Sequence, residues 1–125
     1  SIATFYSEEL MPLMEMGKVI LPPSVKLRDE DGYFDTYQNY EVEVEERERL
    51  RQFLGSKGIG TSLPWGGSAV HQFEGLGFLD PSAPTKLPYT EGIFQRCLLL
   101  PMNQFVSSDD ANYIVECIKE FYNAA

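Results

Sequence analysis

Residues 58–73, GIGTSLPWGGSAVHQF, hold the chain's only tryptophan (Trp65), its only histidine (His71) and four of its ten glycines. These residue types suit the lining of a ligand site. Glycine lets backbone approach a ligand closely, tryptophan offers a stacking face, and His71 and Gln72 offer hydrogen bonds. Ser68 stands three residues before His71, but no strand–nucleophile–helix elbow surrounds the pair. Gly58, Gly60, Gly66 and Gly67 match neither a Walker loop nor a dinucleotide-binding turn. A metal site would need His71 plus carboxylates that no spacing supplies. The competing reading is that Trp65 fills a core gap, the glycines turn the chain and His71 is a loop hydrogen-bonder. Pattern alone leaves these two readings open, and neither makes the chain a free-standing catalyst.

The elements around this stretch read as follows. ATFYSEELMPLMEM puts Phe5, Leu10, Leu13 and Met14 on one helical stripe, with Pro12 troubling the last turn. KVILPP is a short extended piece, and SVKLRDEDGYFD an exposed loop turning at Asp31-Gly32. In YQNYEVEVE the alternation of Tyr40, Val42 and Val44 with Glu41, Glu43 and Glu45 marks a strand with one buried face. Its glutamates are then a solvated face rather than a metal site. EERERLRQFLGSKG reads as a helix with Leu50, Phe53 and Leu54 inward and Glu46 to Arg49 and Arg51 outward, capped at Gly58. GIGTSLPW reads as a second short strand, LPYTEGIFQRC as a helix from about Thr90 carrying Ile93, Phe94 and Cys97, and CLLLP as a buried strand. Ser107 and Asp110 form a capping box for a last helix with Ala111, Ile114, Val115, Ile118, Phe121 and Tyr122 inward. Without regular βαβ alternation, this is an α+β domain: a small, mostly antiparallel sheet with helices packed on one side.

At 125 residues the chain suits one domain, residues 1–125. The net charge of −9 disfavours nucleic acid and anionic membrane surfaces as partners. No apolar run is long enough to span a bilayer and no signal peptide opens the chain, so the expected location is cytoplasmic. Cys97 and Cys117 are read as reduced core thiols. The chain opens on Ser1 within a helical pattern, which suggests a piece of something larger.

The order of segments is distinctive. IATFYSEEL, ILPP, YQNYEVEVEERERLRQFLGSKGIGT, the Trp/His loop, LPYTEGIFQRCLLLPMN and SSDDANYIVECIKEFY together resemble the C-terminal small domain of the DegT/DnrJ/StrS aminotransferases, from Ile2 to Tyr122. The resemblance implies a parent enzyme that uses pyridoxal phosphate to aminate a nucleotide-linked keto sugar, with glutamate or a similar amino donor, in amino-sugar biosynthesis. It implies that the Schiff-base lysine, the aspartate on the pyridine nitrogen and the phosphate cup lie in an N-terminal large domain absent from this sequence. Lys18, Lys26, Lys57, Lys86 and Lys119 match no such motif, so this piece is expected to bind no cofactor and to be inert alone. A homodimeric parent is also implied.

In that family the loop after GIGT commonly carries a Tyr-Pro and a Pro-Leu-His near the sugar. Here Trp65-Gly66-Gly67 stands near the first and Ala69-Val70-His71 near the second. The resemblance therefore makes Trp65, Gly66, Gly67, His71 and Gln72 candidate substrate contacts, with Tyr37 and Asn39 joining them. The alternative is a free-standing, non-catalytic relic of that domain, acting as a ligand- or protein-binding module.

Overall fold

A computed structural model describes residues 1–23, 32, 36–78, 80 and 82–123. In chain order its elements are α1 (Ile2–Glu9), α2 (Met11–Glu15), β1 (Val19–Ile20), β2 (Tyr40–Val44), α3 (Arg47–Ser56), α4 (Pro88–Arg96), β3 (Cys97–Leu100) and α5 (Ser108–Asn123). Short 3-10 turns at Pro64–Gly67, Val70–Gln72 and Glu74–Leu76 fill the long connection from α3 to α4.

The sheet is antiparallel throughout, in the order β1-β2-β3. Val19 pairs with Val44, Tyr40 with Leu100, and Val42 with Leu98. These six share the buried face, and side chains from α1, α2, α3 and α5 close over it in one apolar cluster. The α+β architecture read from the pattern is the one observed. The alternation of β2 holds as well, because period-2 pleating sends Tyr40, Val42 and Val44 one way and the glutamates the other. Glu43 on that outer face pairs with Arg96 at 2.7 Å.

The capping box of α5 forms as its sequence predicts. The Ser107 hydroxyl accepts from the Asp110 amide at 3.1 Å, and Asp110 Oδ2 accepts from the Ser107 amide at 2.9 Å. These bonds satisfy donors that a helix start leaves open; the Ser107 hydroxyl, donating to Asp110 Oδ2 at 2.7 Å, followed by the Ser107 amide, holds the Asp110 carboxyl below its ordinary range. Ser107→Ala is expected to cost about 1 kcal/mol, measurable as a shift of the urea midpoint at unchanged m-value.

Several elements differ from their sequence reading. The first helix is two: the chain breaks at Leu10, and Pro12 lies in the first turn of α2, where it suits a helix start. The inward stripe is Ala3, Tyr6, Leu10 and Leu13, whereas Phe5 is half-buried and Met14 is 40% exposed. Tyr6 takes the inward face because its hydroxyl can reach the Pro101 carbonyl at 2.7 Å, and Phe5 lies one helical step round from it.

GIGTSLPW is no strand. Only Ser62 bridges to β3, exchanging two backbone bonds with Leu99, before Pro64 ends the pairing for want of an N–H. Helix α4 starts at Pro88, not Thr90, and buries none of its own side chains; Ile93 is 42% exposed. Cys97 belongs to β3, and Leu99 there is only half-buried. On α3, Arg47 is not an outward residue: its guanidinium is largely covered, and Nη1 donates to the Phe94 and Cys97 carbonyls where α4 ends. Gly58 has φ +80°, the left-handed conformation its capping role requires. The loop read at 24–35 lies, Gly32 apart, outside the described residues.

Candidate functional site

The connection after α3 leaves the sheet at the Ser62 bridge and turns sharply. Trp65, Gly66 and Gly67 take φ of 50°, 69° and 87° in succession. A left-handed run is what two adjacent glycines permit, and Trp65 holds the same region at a cost of roughly 1–2 kcal/mol. A Cβ at Gly67 would meet Leu63 Cδ1 at 3.0 Å. The result is an indole lifted off the domain: Trp65 is 79% exposed. It therefore fills no gap in this domain's core, which removes the competing reading of that residue.

The next turn is self-contained. The Ala69 carbonyl accepts from the Gln72 amide and Gln72 Oε1 accepts from the Ala69 amide, both at 2.9 Å. Ala69 is buried beneath this turn, while Val70 and Phe73 point their apolar surface outward. Gln72 thus spends its side-chain oxygen on its own loop.

His71 is turned inward and 5% exposed. Its Nε2 lies 2.8 Å from Glu91 Oε1, and that oxygen also accepts from the Leu87 amide at 3.0 Å. The His71 bond, followed by the Leu87 bond, holds the Glu91 carboxyl below its ordinary range. An acid in the first turn of α4 was visible in the sequence; its pairing with a histidine twenty residues upstream was not. Periodicity reports on neighbours within an element, and this contact joins two.

Tyr37 and Asn39 sit elsewhere. The Tyr37 hydroxyl donates to the Pro23 carbonyl at 2.7 Å, and its ring lies 6.1 Å from that of Tyr40. With Thr36, Gln38, Met102 and Asn103 it lines a cleft of about 510 Å³ against the start of α1. Asn39 is exposed just before β2. Because Tyr40 pairs with Leu100 while the Ser62 bridge sends the loop toward Cys97, the register puts these two residues and Trp65 at opposite ends of β3. The structure thus gathers Trp65, Gly66, Gly67, His71 and Gln72 in one loop and leaves Tyr37 and Asn39 apart from it.

Among the described residues, no group of three or more His, Cys, Asp and Glu side chains could hold a metal. No helix among them is long and apolar enough to cross a membrane. The Cys97 thiol is 4% exposed and pushed up to about 12, first by burial and then by its hydrogen bond to Glu41. We expect it to resist Ellman's reagent at neutral pH until urea unfolds the chain; rapid modification of the folded protein would contradict its placement.

A Schiff-base cofactor needs an amine in a desolvated pocket. Lys18, Lys57 and Lys119 instead reach Glu45, Glu120 and Glu9 in ion pairs at the surface, and Lys86 lies in an exposed loop. These described lysines do not fit that group, so no step through it is assigned to this chain.

The family model of the DegT/DnrJ/EryC1/StrS aminotransferases matches residues 1–119. A protein of Geobacillus stearothermophilus named "Pleiotropic regulatory protein" is 28% identical over 109 residues, which cover 86% of this chain and 27% of that protein. The crystal structure of a DegT DnrJ EryC1 StrS aminotransferase from Brucella abortus is 26% identical with a TM-score of 0.73, covering 96% of this chain and 29% of that one. NtdA of Bacillus subtilis, solved with the cofactor PMP bound, shares the fold at 18% identity, with a TM-score of 0.82 over 98% of this chain and 27% of its own. The chain thus spans under a third of the length of each of these proteins.

Proposed function

Because the chain belongs to the DegT/DnrJ/EryC1/StrS aminotransferase family, we propose that it works as the small domain of a longer pyridoxal-phosphate-dependent aminotransferase, with residues 64–78 facing the substrate. That substrate is a nucleotide-linked keto sugar, and the parent is a homodimer. Its large domain, in sequence beyond these residues, holds the cofactor and its lysine. When bound there, pyridoxal phosphate supplies the electron sink for amino transfer.

The observation that carries this reading is the Trp65 loop. An indole 79% exposed, held by a left-handed backbone run and backed by two glycines, is poorly explained by the domain's own folding. It is well suited to stacking on a sugar or base brought by another part of the protein. Val70 and Phe73 add exposed apolar surface to the same loop and the exposed Gln72 amide nitrogen adds a polar group, while His71, buried beneath, holds the loop through Glu91.

The test begins with the native gene product. An immunoblot of the source cells should show a band several times heavier than 14.2 kDa; a band at that mass would instead favour the free-standing binding module. In the longer protein the two half-reactions can be followed separately. Trp65→Ala is expected to raise KM for the keto sugar by about tenfold, some 1.4 kcal/mol of lost contact, and to leave the half-reaction with the amino donor unchanged. Equal effects on both halves, or none on either, would count against the loop's assignment to the sugar.

A further inference from the structure

The loop's hold on its own domain is narrow. Within residues 64–78 only Pro64, Ala69 and His71 are buried, and from Gln72 to Arg96 no described side chain is. Among the described residues, the His71–Glu91 contact is the one side-chain hydrogen bond that joins this loop to another element. A loop this long without a core of its own depends on such anchors for a defined shape.

The chemistry of the contact sets its direction. Glu91 Oε1 takes the Leu87 amide and His71 Nε2 together, so one carboxylate oxygen both caps the start of α4 and grips the ring. An ionised carboxylate only accepts, so the nitrogen facing it carries the proton. The neutral imidazole then has its hydrogen on Nε2 and a lone pair on Nδ1. Lys86, just before the helix, favours the ionised form of Glu91 as well.

We propose that Glu91 is a positioning residue for His71: it fixes the ring as the Nε2–H tautomer and pins the 64–78 loop to α4. Trp65 is thereby presented in one orientation, and Nδ1 is left unprotonated. Only the last step, what the pinned loop meets, rests on the function proposed above; the pinning itself is a property of this chain.

One histidine makes the test clean, because every imidazole nitrogen signal belongs to His71. In ¹⁵N-labelled chain, Nε2 should show the shift of a protonated nitrogen and Nδ1 that of an unprotonated one, with an exchange-protected Nε2–H proton. Glu91→Ala should speed exchange of that proton by about tenfold or more, the loss of roughly 1.4 kcal/mol, and move the Trp65 indole resonance. Glu91→Gln, whose amide oxygen can still accept, should restore both signals and so separate the hydrogen bond from the charge. An Nδ1–H tautomer in the unaltered chain would overturn the proposal, as would protection and indole signals that ignore Glu91→Ala. Should Glu91→Ala fail to fold, the tautomer in the unaltered chain and protection in Glu91→Gln decide it.

In the longer protein, Glu91→Ala should raise KM for the keto sugar as His71→Ala does, with the double variant no worse than either. A sugar that ignores all three variants would remove the proposed function and leave the NMR result standing.

Discussion

Tyr40→Ala is expected to cost about 3–5 kcal/mol of folding stability, a large share of the roughly 5–15 kcal/mol that holds a typical domain together. Tyr40 opens β2, the strand paired on both sides, and its side chain is fully buried. Its ring lies 5.1 Å from that of Tyr6 at an interplanar angle of 58°, and its hydroxyl lies 2.8 Å from Ser7 Oγ. Alanine would therefore leave a ring-sized cavity where α1 meets the sheet and strip Ser7 of its partner. Tyr40→Phe keeps the ring and loses only the hydroxyl bond, for about 1 kcal/mol. Urea denaturation of the two variants separates packing from hydrogen bonding. An alanine variant as stable as the parent would show that α1 does not pack on the sheet through this ring.

Alkaline pH should unfold the domain cooperatively. Tyr6 and Tyr40 are both pushed up to about 12, chiefly by burial; for Tyr40 the Ser7 bond pulls the other way. Tyr122 is raised too, again by burial, with its hydroxyl donating to the Glu45 carbonyl at 2.6 Å. In the unfolded chain these phenols ionise near 10. Below that pH both states keep the proton and stability is unaffected. Above it the unfolded chain releases protons that the folded one retains, so stability falls by about 1.4 kcal/mol per pH unit for each buried tyrosine. By pH 12 Tyr6 and Tyr40 alone would remove on the order of 5 kcal/mol. Tyrosinate absorbance should therefore rise in a step that coincides with loss of the near-ultraviolet circular dichroism. A smooth titration of every tyrosine near pH 10 with the fold intact would contradict the burial of these three rings.

Both effects come from a core that the sequence reveals unevenly. Strand β2 and helix α5 are legible because each is long enough to show its period: Tyr40, Val42 and Val44 alternate, and Ile114, Val115 and Ile118 recur on one face behind a capping box. In the first helix the same logic picked Phe5 and Met14 over Ala3 and Tyr6. Hydropathy ranks Phe and Met above Ala and Tyr, and it does not register that a tyrosine hydroxyl can find the Pro101 carbonyl ninety-five residues away. The strand read into GIGTSLPW failed for a similar reason, since only the position of β3 decides how many of its residues find a partner.

The site divides along the same line. The order of segments was enough for a resemblance to the family, and residue types were enough to single out the Trp65–Gln72 stretch, because both are properties of the chain itself. What the sequence determined, then, is the α+β class, the principal strand and the helices most strongly signalled, and the loop that merits attention. Tertiary structure alone decided that Trp65 faces outward while His71 faces inward, that Glu91 holds the ring, that Arg47 closes the end of α4, and that Tyr37 and Asn39 stand at the other end of β3. The reason is physical. Periodic burial is a local property repeated along the chain, whereas a single polar contact between distant elements depends on one distance and one angle that nothing in the local pattern records.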